Sequence, residues 1–181
     1  IWTFHDCWAF TGYCPHFTMV KCGKWMTRCS RCPQRRTYAW FFDRSRALFE
    51  KKKALFTGLD LTIVTPSQWL ADLVKQSFLK EYPVHVIHNG IDLGIFQPEP
   101  GDFRNRYGLE GKKLILGVSF GWDDRKGLDV FRELSKRLSD DYRIVLVGTD
   151  ANVDKLLPEN ILSIHRTQNQ QELAEIYSAA D

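Results

Sequence analysis

The feature that most constrains the fold of this chain is a short apolar run, Leu114 to Val118, with a helical repeat directly behind it. A lysine precedes the run, and a turn rich in glycine and aspartate follows it at 121–124, which is typical of a strand buried on both faces. Apolar residues then recur at the spacing of one helix face, at Leu128, Phe131, Leu134 and Leu138. We therefore predict a strand, a loop and a helix in that order.

The same alternation of strand and helix patterns extends along most of the chain. Strands are predicted at 1–6, 61–65, 84–87, 114–118, 144–147 and 161–164, and helices at 37–57, from Pro66, and at 127–138, 153–157 and 170–179. Strands that alternate with helices indicate βαβ units and a parallel sheet, so the predicted fold class is α/β. Segment 93–111 is rich in glycine and proline and is predicted to link two domains, 1–92 and 112–181.

The predicted helix at 37–57 carries one apolar stripe. Phenylalanines recur in it every seven residues, at Phe42, Phe49 and Phe56. Ser45 and Lys52 fall inside the same stripe. A lysine in that position is expected to extend along the apolar surface so that its ammonium group reaches solvent. The alternative is that the ammonium group contacts a bound phosphate or acceptor molecule.

Charge and hydropathy exclude some classes of protein. The formal net charge is +3 over 181 residues, which is too small to indicate nucleic-acid binding by itself. The sequence has no apolar run long enough for a transmembrane helix and no secretory signal at its start. It begins at Ile1 and ends at Asp181, directly after a predicted helix, so we expect a fragment of a longer polypeptide.

All five cysteines fall between residues 7 and 32, in a loop at 7–36 that shows no sustained periodicity. Cys14, Cys22, Cys29 and Cys32 have the spacing C-x7-C-x6-C-x2-C, and Cys7 lies outside this group. A C-x2-C pair lets two thiolates share one tetrahedral ion, and a local odd set of cysteines favours a metal site over disulfides. We predict one structural metal ion on these four cysteines, with zinc as the expected metal and another thiophilic metal left open. The alternative is a set of buried or partly reactive thiols.

Arg125 and Lys126 stand at the start of the predicted helix at 127–138. A helix N-terminus favours anions, so two cations there are explained if a phosphate or diphosphate binds between them and the helix amides. The alternative is a solvated pair in an ordinary loop. Residues 148–150 and 166–169 follow the next two strands and are expected at the same edge of the sheet, where ligands of parallel sheets bind.

An ordered series of short motifs runs through nearly the whole chain. Its members are His5-Asp6, Thr11-Gly12, Cys32-Pro33-Gln34, Thr65 to Leu70, Val86 to Asp92, Gly117-Val118, Arg125-Lys126-Gly127 and Tyr177 to Asp181. In this order and spacing the series resembles the GT-B glycosyltransferases of family 4, and most closely those of bacterial polysaccharide assembly, which carry a similar cysteine-bearing loop.

The resemblance implies two Rossmann-like domains, each only partly present. The acceptor-side domain is expected at 1–92, and the nucleotide-sugar-binding domain at 112–181. The implied site residues are His5 facing the transferred sugar, Asp6 orienting its ring, Arg125, Lys126 and Gly127 at the donor diphosphate, and Arg166 and Thr167 near the nucleotide base. For His5 the alternative is a structural histidine at a strand end.

The implied activity is transfer of a hexose, with retention of configuration, from a nucleotide-diphosphate sugar to a saccharide or lipid-linked acceptor in polysaccharide biosynthesis. No catalytic metal is expected, because two cations and helix amides can stabilise the leaving diphosphate. The implied location is the cytoplasm, with the inner face of the membrane as a candidate position. A nucleic-acid partner is not expected.

The chain departs from the family pattern in two places. Many members have an arginine directly after the glycine that ends the strand before the basic loop, whereas this chain has Gly117-Val118-Ser119 there, so Arg125 is expected to supply that charge. The Glu-rich donor-sugar motif of the family lies beyond Asp181, so we expect the fragment alone to be inactive.

Two other classes of function stay open at the level of sequence. The cysteine cluster with Arg28, Arg31, Arg35 and Arg36 would suit a zinc-dependent nucleic-acid-binding module, although its basic residues do not continue into the second half. The chain could also be a sugar-nucleotide-binding protein without catalytic activity.

Overall fold

The computed structural model describes residues 1–39, 41–98 and 101–181, which form two compact units, Ile1–Gly90 and Ile91–Asp181. Each unit contains one parallel three-stranded sheet with helices between its strands, so the predicted α/β class with two parallel-sheet units is confirmed. Trp40, in the predicted helix, and Glu99 and Pro100, in the predicted linker, lie outside the described residues.

The first unit has strands β1 (Trp2–Thr3), β2 (Ile63–Thr65) and β3 (Val84–Val86), in the order β1-β2-β3 and all parallel. Its helices are α1 (Arg35–Tyr38), α2 (Ser45–Phe56) and α3 (Gln68–Gln76), with 3-10 turns at Trp8–Phe10 and Lys24–Met26. The hydroxyl of Ser67 accepts a hydrogen bond from the Leu70 amide and caps α3, so the helix predicted from Pro66 begins at Gln68.

The prediction of one helix at 37–57 is wrong for the first third of that segment. The structure has the short α1 there, the described residues 41–44 are not helical, and α2 begins only at Ser45. Phe41 and Phe42 are 75% and 80% exposed, while Phe49 is buried in the core. The carboxylate of Asp43 accepts a hydrogen bond from the Ser45 amide, which fixes the start of α2. Phe42 therefore lies outside the helix that contains Phe49 and Phe56.

The second unit has strands β4 (Lys113–Val118), β5 (Tyr142–Val147) and β6 (Ile161–Ile164), in the order β4-β5-β6 and all parallel. Its helices are α4 (Phe103–Arg106), α5 (Leu128–Ser135), α6 (Ala151–Asp154) and α7 (Gln170–Ala179), with a 3-10 turn at Asp124–Lys126. Helix α6 begins before its predicted position, because Asp150 caps the amides of Asn152 and Val153.

Both faces of the second sheet are covered. Ile144 and Leu146 of β5 belong to one apolar cluster, and Val145 and Val147 belong to another on the opposite face. The same alternation explains why the strands appear in the sequence as continuous apolar runs.

Part of the segment predicted as a linker contributes to the second core. Phe103 and Leu109, which lie within 93–111, are 2% and 3% exposed and pack with Leu114 of β4. The boundary between the compact units falls at Gly90 and Ile91, two residues before the predicted end of the first domain. In the described part of the chain, the helices are all too short or too polar to cross a membrane.

Candidate functional site

The basic pair lies in a 3-10 turn rather than in the first turn of a helix. Arg125 and Lys126 end the turn, and Gly127, with φ of +78°, joins it to α5. One carboxylate oxygen of Asp123 accepts the Lys126 amide at 2.9 Å, and the other lies 3.8 Å from an Arg125 guanidinium nitrogen. Both cationic side chains are exposed, so each is accessible to an anion.

The loop before this turn lies directly on the ends of β4 and β5. The indole nitrogen of Trp122 donates to the carbonyl of Val147 at 3.0 Å, and the Ser119 amide donates to the same carbonyl at 3.1 Å. Gly148 has φ of +84°, and a Cβ atom there would lie 1.6 Å from the carbonyl oxygen of Ser119. Only glycine permits this approach, which fixes the start of the loop at the carboxyl edge of the sheet.

Arg166 and Thr167 follow β6 and therefore lie at the same edge as the basic turn. Arg166 is exposed and Thr167 is half-buried. Within the described residues, no hydrogen bond or ion pair joins either of them to Arg125 or Lys126. The structure thus places the four residues at one edge without a hydrogen bond or ion pair between the two pairs.

A hydrogen-bonded network at this edge was missed by the sequence analysis. Asp154 accepts from the Ser163 hydroxyl at 2.5 Å and contacts His165 Nε2 at 2.6 Å, and the Thr149 hydroxyl lies 2.6 Å from that of Ser163. The bonds from Ser163 and then from His165 hold the pKa of Asp154 below its usual value. The available signal was Ser163, a polar residue inside an otherwise apolar strand.

In the first unit, His5 and Asp6 follow β1, which ends at Thr3. Asp6 accepts the Trp8 amide at 2.7 Å and so starts the 3-10 turn at Trp8–Phe10. The imidazole of His5 is exposed and makes no hydrogen bond to another described residue. The imidazole is therefore accessible to a ligand.

Lys52 has neither of the two roles predicted for it. It is 6% exposed, and its ammonium group donates to the carbonyls of Trp8 at 2.6 Å and Thr11 at 3.2 Å. The same group lies 3.5 Å from the centre of the Trp8 ring. Burial lowers the pKa of Lys52 to about 8. Lys52 therefore ties α2 to the turn that follows His5 and Asp6.

The four cysteines of the predicted zinc site line one cavity. Cys14 and Cys29 are buried and Cys22 and Cys32 are half-buried, and all five cysteines are free thiols. Burial raises the pKa of Cys29 to about 11 and that of Cys7, outside the cavity, to about 12. In the described part of the chain, however, no three His, Cys, Asp or Glu side chains stand at the spacing of a bound metal ion.

Two wider cavities lie away from these residues. One of about 520 Å³ is lined by residues that directly precede β2 and β3, so it lies at the amino edge of the first sheet. Another of about 410 Å³ lies in the second unit between segment 91–98 and α7. Ligands of parallel sheets bind at the carboxyl edge, and we therefore place the candidate site at the basic turn.

Comparison with known proteins agrees with the resemblance found in the sequence. No family model matches the chain. The chain is 29% identical over 108 residues to a processive diacylglycerol alpha-glucosyltransferase of Acholeplasma laidlawii, a match that covers 58% of this chain and 32% of that protein. It superimposes on sucrose-phosphate synthase from Thermosynechococcus elongatus with a TM-score of 0.59 and 20% identity, over 83% of this chain and 39% of the other.

The chain thus spans less than half the length of either protein, and it shares the fold of the synthase in the part that it covers. The predicted pair of partial Rossmann-like units, as found in GT-B glycosyltransferases, is confirmed at the level of fold. Neither comparison favours a nucleic-acid-binding module.

Proposed function

We propose that this chain is part of a GT-B glycosyltransferase, which moves a sugar from a nucleotide-diphosphate sugar to an acceptor. The observation that carries the proposal is the exposed basic turn, Arg125 and Lys126, at the carboxyl edge of a parallel sheet. The sequence relative is named as a glucosyltransferase, which supports transfer of a sugar, and the structural neighbour supports the fold.

The basic turn would act on the leaving group. Cleavage of the bond between the sugar and the diphosphate leaves negative charge on the phosphate oxygens, and fixed positive charge stabilises that charge as it develops. Asp123 shapes the turn by capping Lys126, and its contact with Arg125 is long and exposed. Such an ion pair is worth little, so Arg125 can exchange it for a phosphate at small cost.

His5 and Asp6 would belong to the acceptor-side half, where His5 contacts the transferred sugar. We propose a saccharide or lipid-linked acceptor in polysaccharide biosynthesis, and the relative named for diacylglycerol supports the lipid-linked class. That acceptor would bring the enzyme to the inner face of the membrane. Retention of configuration is also proposed, since the relative is named an alpha-glucosyltransferase and retention converts an α-configured donor into an α-glycoside.

Calorimetric titration of the 181-residue chain with UDP, GDP and uridine tests the donor site. We expect a nucleoside diphosphate to bind and uridine, which lacks the diphosphate, to bind far more weakly. Lys126→Ala should weaken diphosphate binding by about tenfold, the loss expected for one charge-assisted contact. Lys136→Ala is the matched control, because Lys136 is an exposed lysine paired with Glu133 near the other end of α5. Equal affinities for all three proteins would exclude the basic turn from the site.

A further inference from the structure

Four cysteines of the first unit line one small cavity. Cys14, Cys22, Cys29 and Cys32 line a cavity of about 20 Å³, which has room for a single water or ion, since about 10–15 Å³ is the minimum for one water. Cys7 is buried nearby but does not line the cavity. The cavity therefore groups the same four cysteines as the sequence spacing does, and both leave Cys7 out.

Hydrogen bonds position two of the cysteines that line this cavity, Cys29 and Cys32. The Gly12 amide donates to the sulfur of Cys29 at 3.2 Å, an interaction that stabilises a thiolate. The carboxylate of Asp43 accepts the Cys32 amide at 2.7 Å and the Tyr13 hydroxyl at 3.0 Å. These bonds tie the C-x2-C end of the loop to the segment that starts α2.

Backbone strain occurs directly before two of the cysteines that line the cavity. Lys21 and Arg31 have φ of +47° and +45°, and they are the non-glycine residues with positive φ among those described. Each directly precedes a cavity cysteine, Cys22 and Cys32 respectively. A left-handed residue that is not glycine costs about 1–2 kcal/mol, so the strain is retained where it turns these two thiols toward the cavity.

The wall of the cavity also contains a polar group that lacks a partner. Ser45 is 2% exposed, and its hydroxyl makes no hydrogen bond with any described residue. Leaving a buried hydroxyl unpaired costs about 1–3 kcal/mol, and thiolate sulfurs in the cavity would supply the missing acceptor.

From these observations we infer that Cys14, Cys22, Cys29 and Cys32 bind one zinc ion, which closes the loop between β1 and α2 as a structural site. Four thiolates without an open position are the ligand set of structural zinc. Among the described residues the four thiols do not stand at ligand spacing, so binding would draw them inward to Zn–S distances of about 2.3 Å. This inference does not depend on the proposed glycosyl transfer.

Cobalt(II) titration of the reduced, anaerobic 181-residue chain tests the site directly. We expect one equivalent to bind, with the visible absorption of tetrahedral cobalt and strong thiolate charge-transfer bands, and to be displaced by zinc. Zinc should also raise the melting temperature of the chain, because metal that binds only the folded state stabilises it.

Variants identify the ligands. Cys22→Ser and Cys32→Ser alter the two half-buried thiols, which leaves the buried core intact, and each should lose the tetrahedral cobalt spectrum and the zinc-dependent rise in melting temperature. Cys7→Ser, at a buried cysteine outside the cavity, is the matched control and should keep both. Circular dichroism verifies that the variants fold.

Three results would overturn the inference. They are a folded, reduced chain that binds neither metal, a site that survives in Cys22→Ser and Cys32→Ser, and a site that is lost in Cys7→Ser. Disulfides among the four cysteines in freshly isolated protein would likewise exclude a tetrathiolate. None of these results bears on nucleotide binding, so failure of this site and failure of the proposed function are distinguishable.

Discussion

At the scale of single residues, Lys52 shows how burial changes what a side chain does. Its ammonium group is enclosed between two carbonyls and the Trp8 ring, and burial lowers its pKa from 10.5 to about 8. Sequence spacing places Lys52 on the apolar stripe of its helix but cannot show which backbone carbonyls close over it. Those carbonyls come from a turn more than 40 residues earlier in the chain.

The lowered pKa predicts a pH-dependent contribution of Lys52 to stability. Between about pH 8 and 10.5 the unfolded chain binds the lysine proton and the folded chain releases it, so this residue's contribution to the free energy of unfolding rises with pH. We therefore expect the free energy of unfolding of wild type to rise, relative to that of Lys52→Met, by up to about 3 kcal/mol across that interval. Urea denaturation at several pH values measures it.

The neighbouring Lys53→Met provides the control for that series. Lys53 is exposed on the same helix, so its substitution should leave the pH dependence of stability close to that of wild type. If the free energies of unfolding of Lys52→Met and wild type change in parallel from pH 8 to 10.5, the ammonium group is not desolvated in solution.

At the scale of elements, local signals placed the starts and ends of several helices and strands correctly. The helix predicted from Pro66 begins at Gln68, and the helix at 170–179 and the strand at 161–164 lie where they are predicted. The reason is that capping and apolar runs depend on neighbours in sequence. The helix at 37–57 failed in its first third, since Asp43 bonds to the cysteine loop, and those partners come from residues distant in sequence.

Gly148 predicts a test of how the loops at the carboxyl edge are held. Its left-handed φ and its contact with the Ser119 carbonyl leave no room for a side chain. We expect Gly148→Ala to lower the free energy of unfolding by more than about 2 kcal/mol, because the clash is with backbone and positive φ adds strain. Chemical denaturation measures the loss. Gly121→Ala is the control, since a Cβ there meets no atom within 4 Å, and an equal loss in both variants would contradict the argument.

At the scale of the whole molecule, the chain holds two compact units, with His5 in one and the basic turn in the other. In an enzyme of the relatives' full length that contains this chain, we expect His5→Ala to lower turnover while the affinity for a nucleoside diphosphate stays nearly unchanged. The reason is that the proposed contact of His5 is with the transferred sugar, whose charge changes only in the transition state.

Steady-state kinetics and calorimetry on the same preparations separate the two effects. His85→Ala, at an exposed histidine on β3, is the control and should leave both turnover and affinity unchanged. Loss of nucleotide affinity in folded His5→Ala would place His5 in the donor pocket, and unchanged turnover would leave it a structural residue.

The sequence by itself determined the α/β class, the parallel sheets, most strand positions, the place of the basic pair after β4 and the grouping of four cysteines apart from a fifth. These features are carried by apolar periodicity, capping residues and spacing, which are local properties of the chain. Only the tertiary structure decided the burial of Lys52, the bonds of Asp154, the orphaned hydroxyl of Ser45 and the place of Phe103 and Leu109 in the second core. Each of these depends on which distant segments pack together, and packing rather than local pattern sets the environment of a buried side chain.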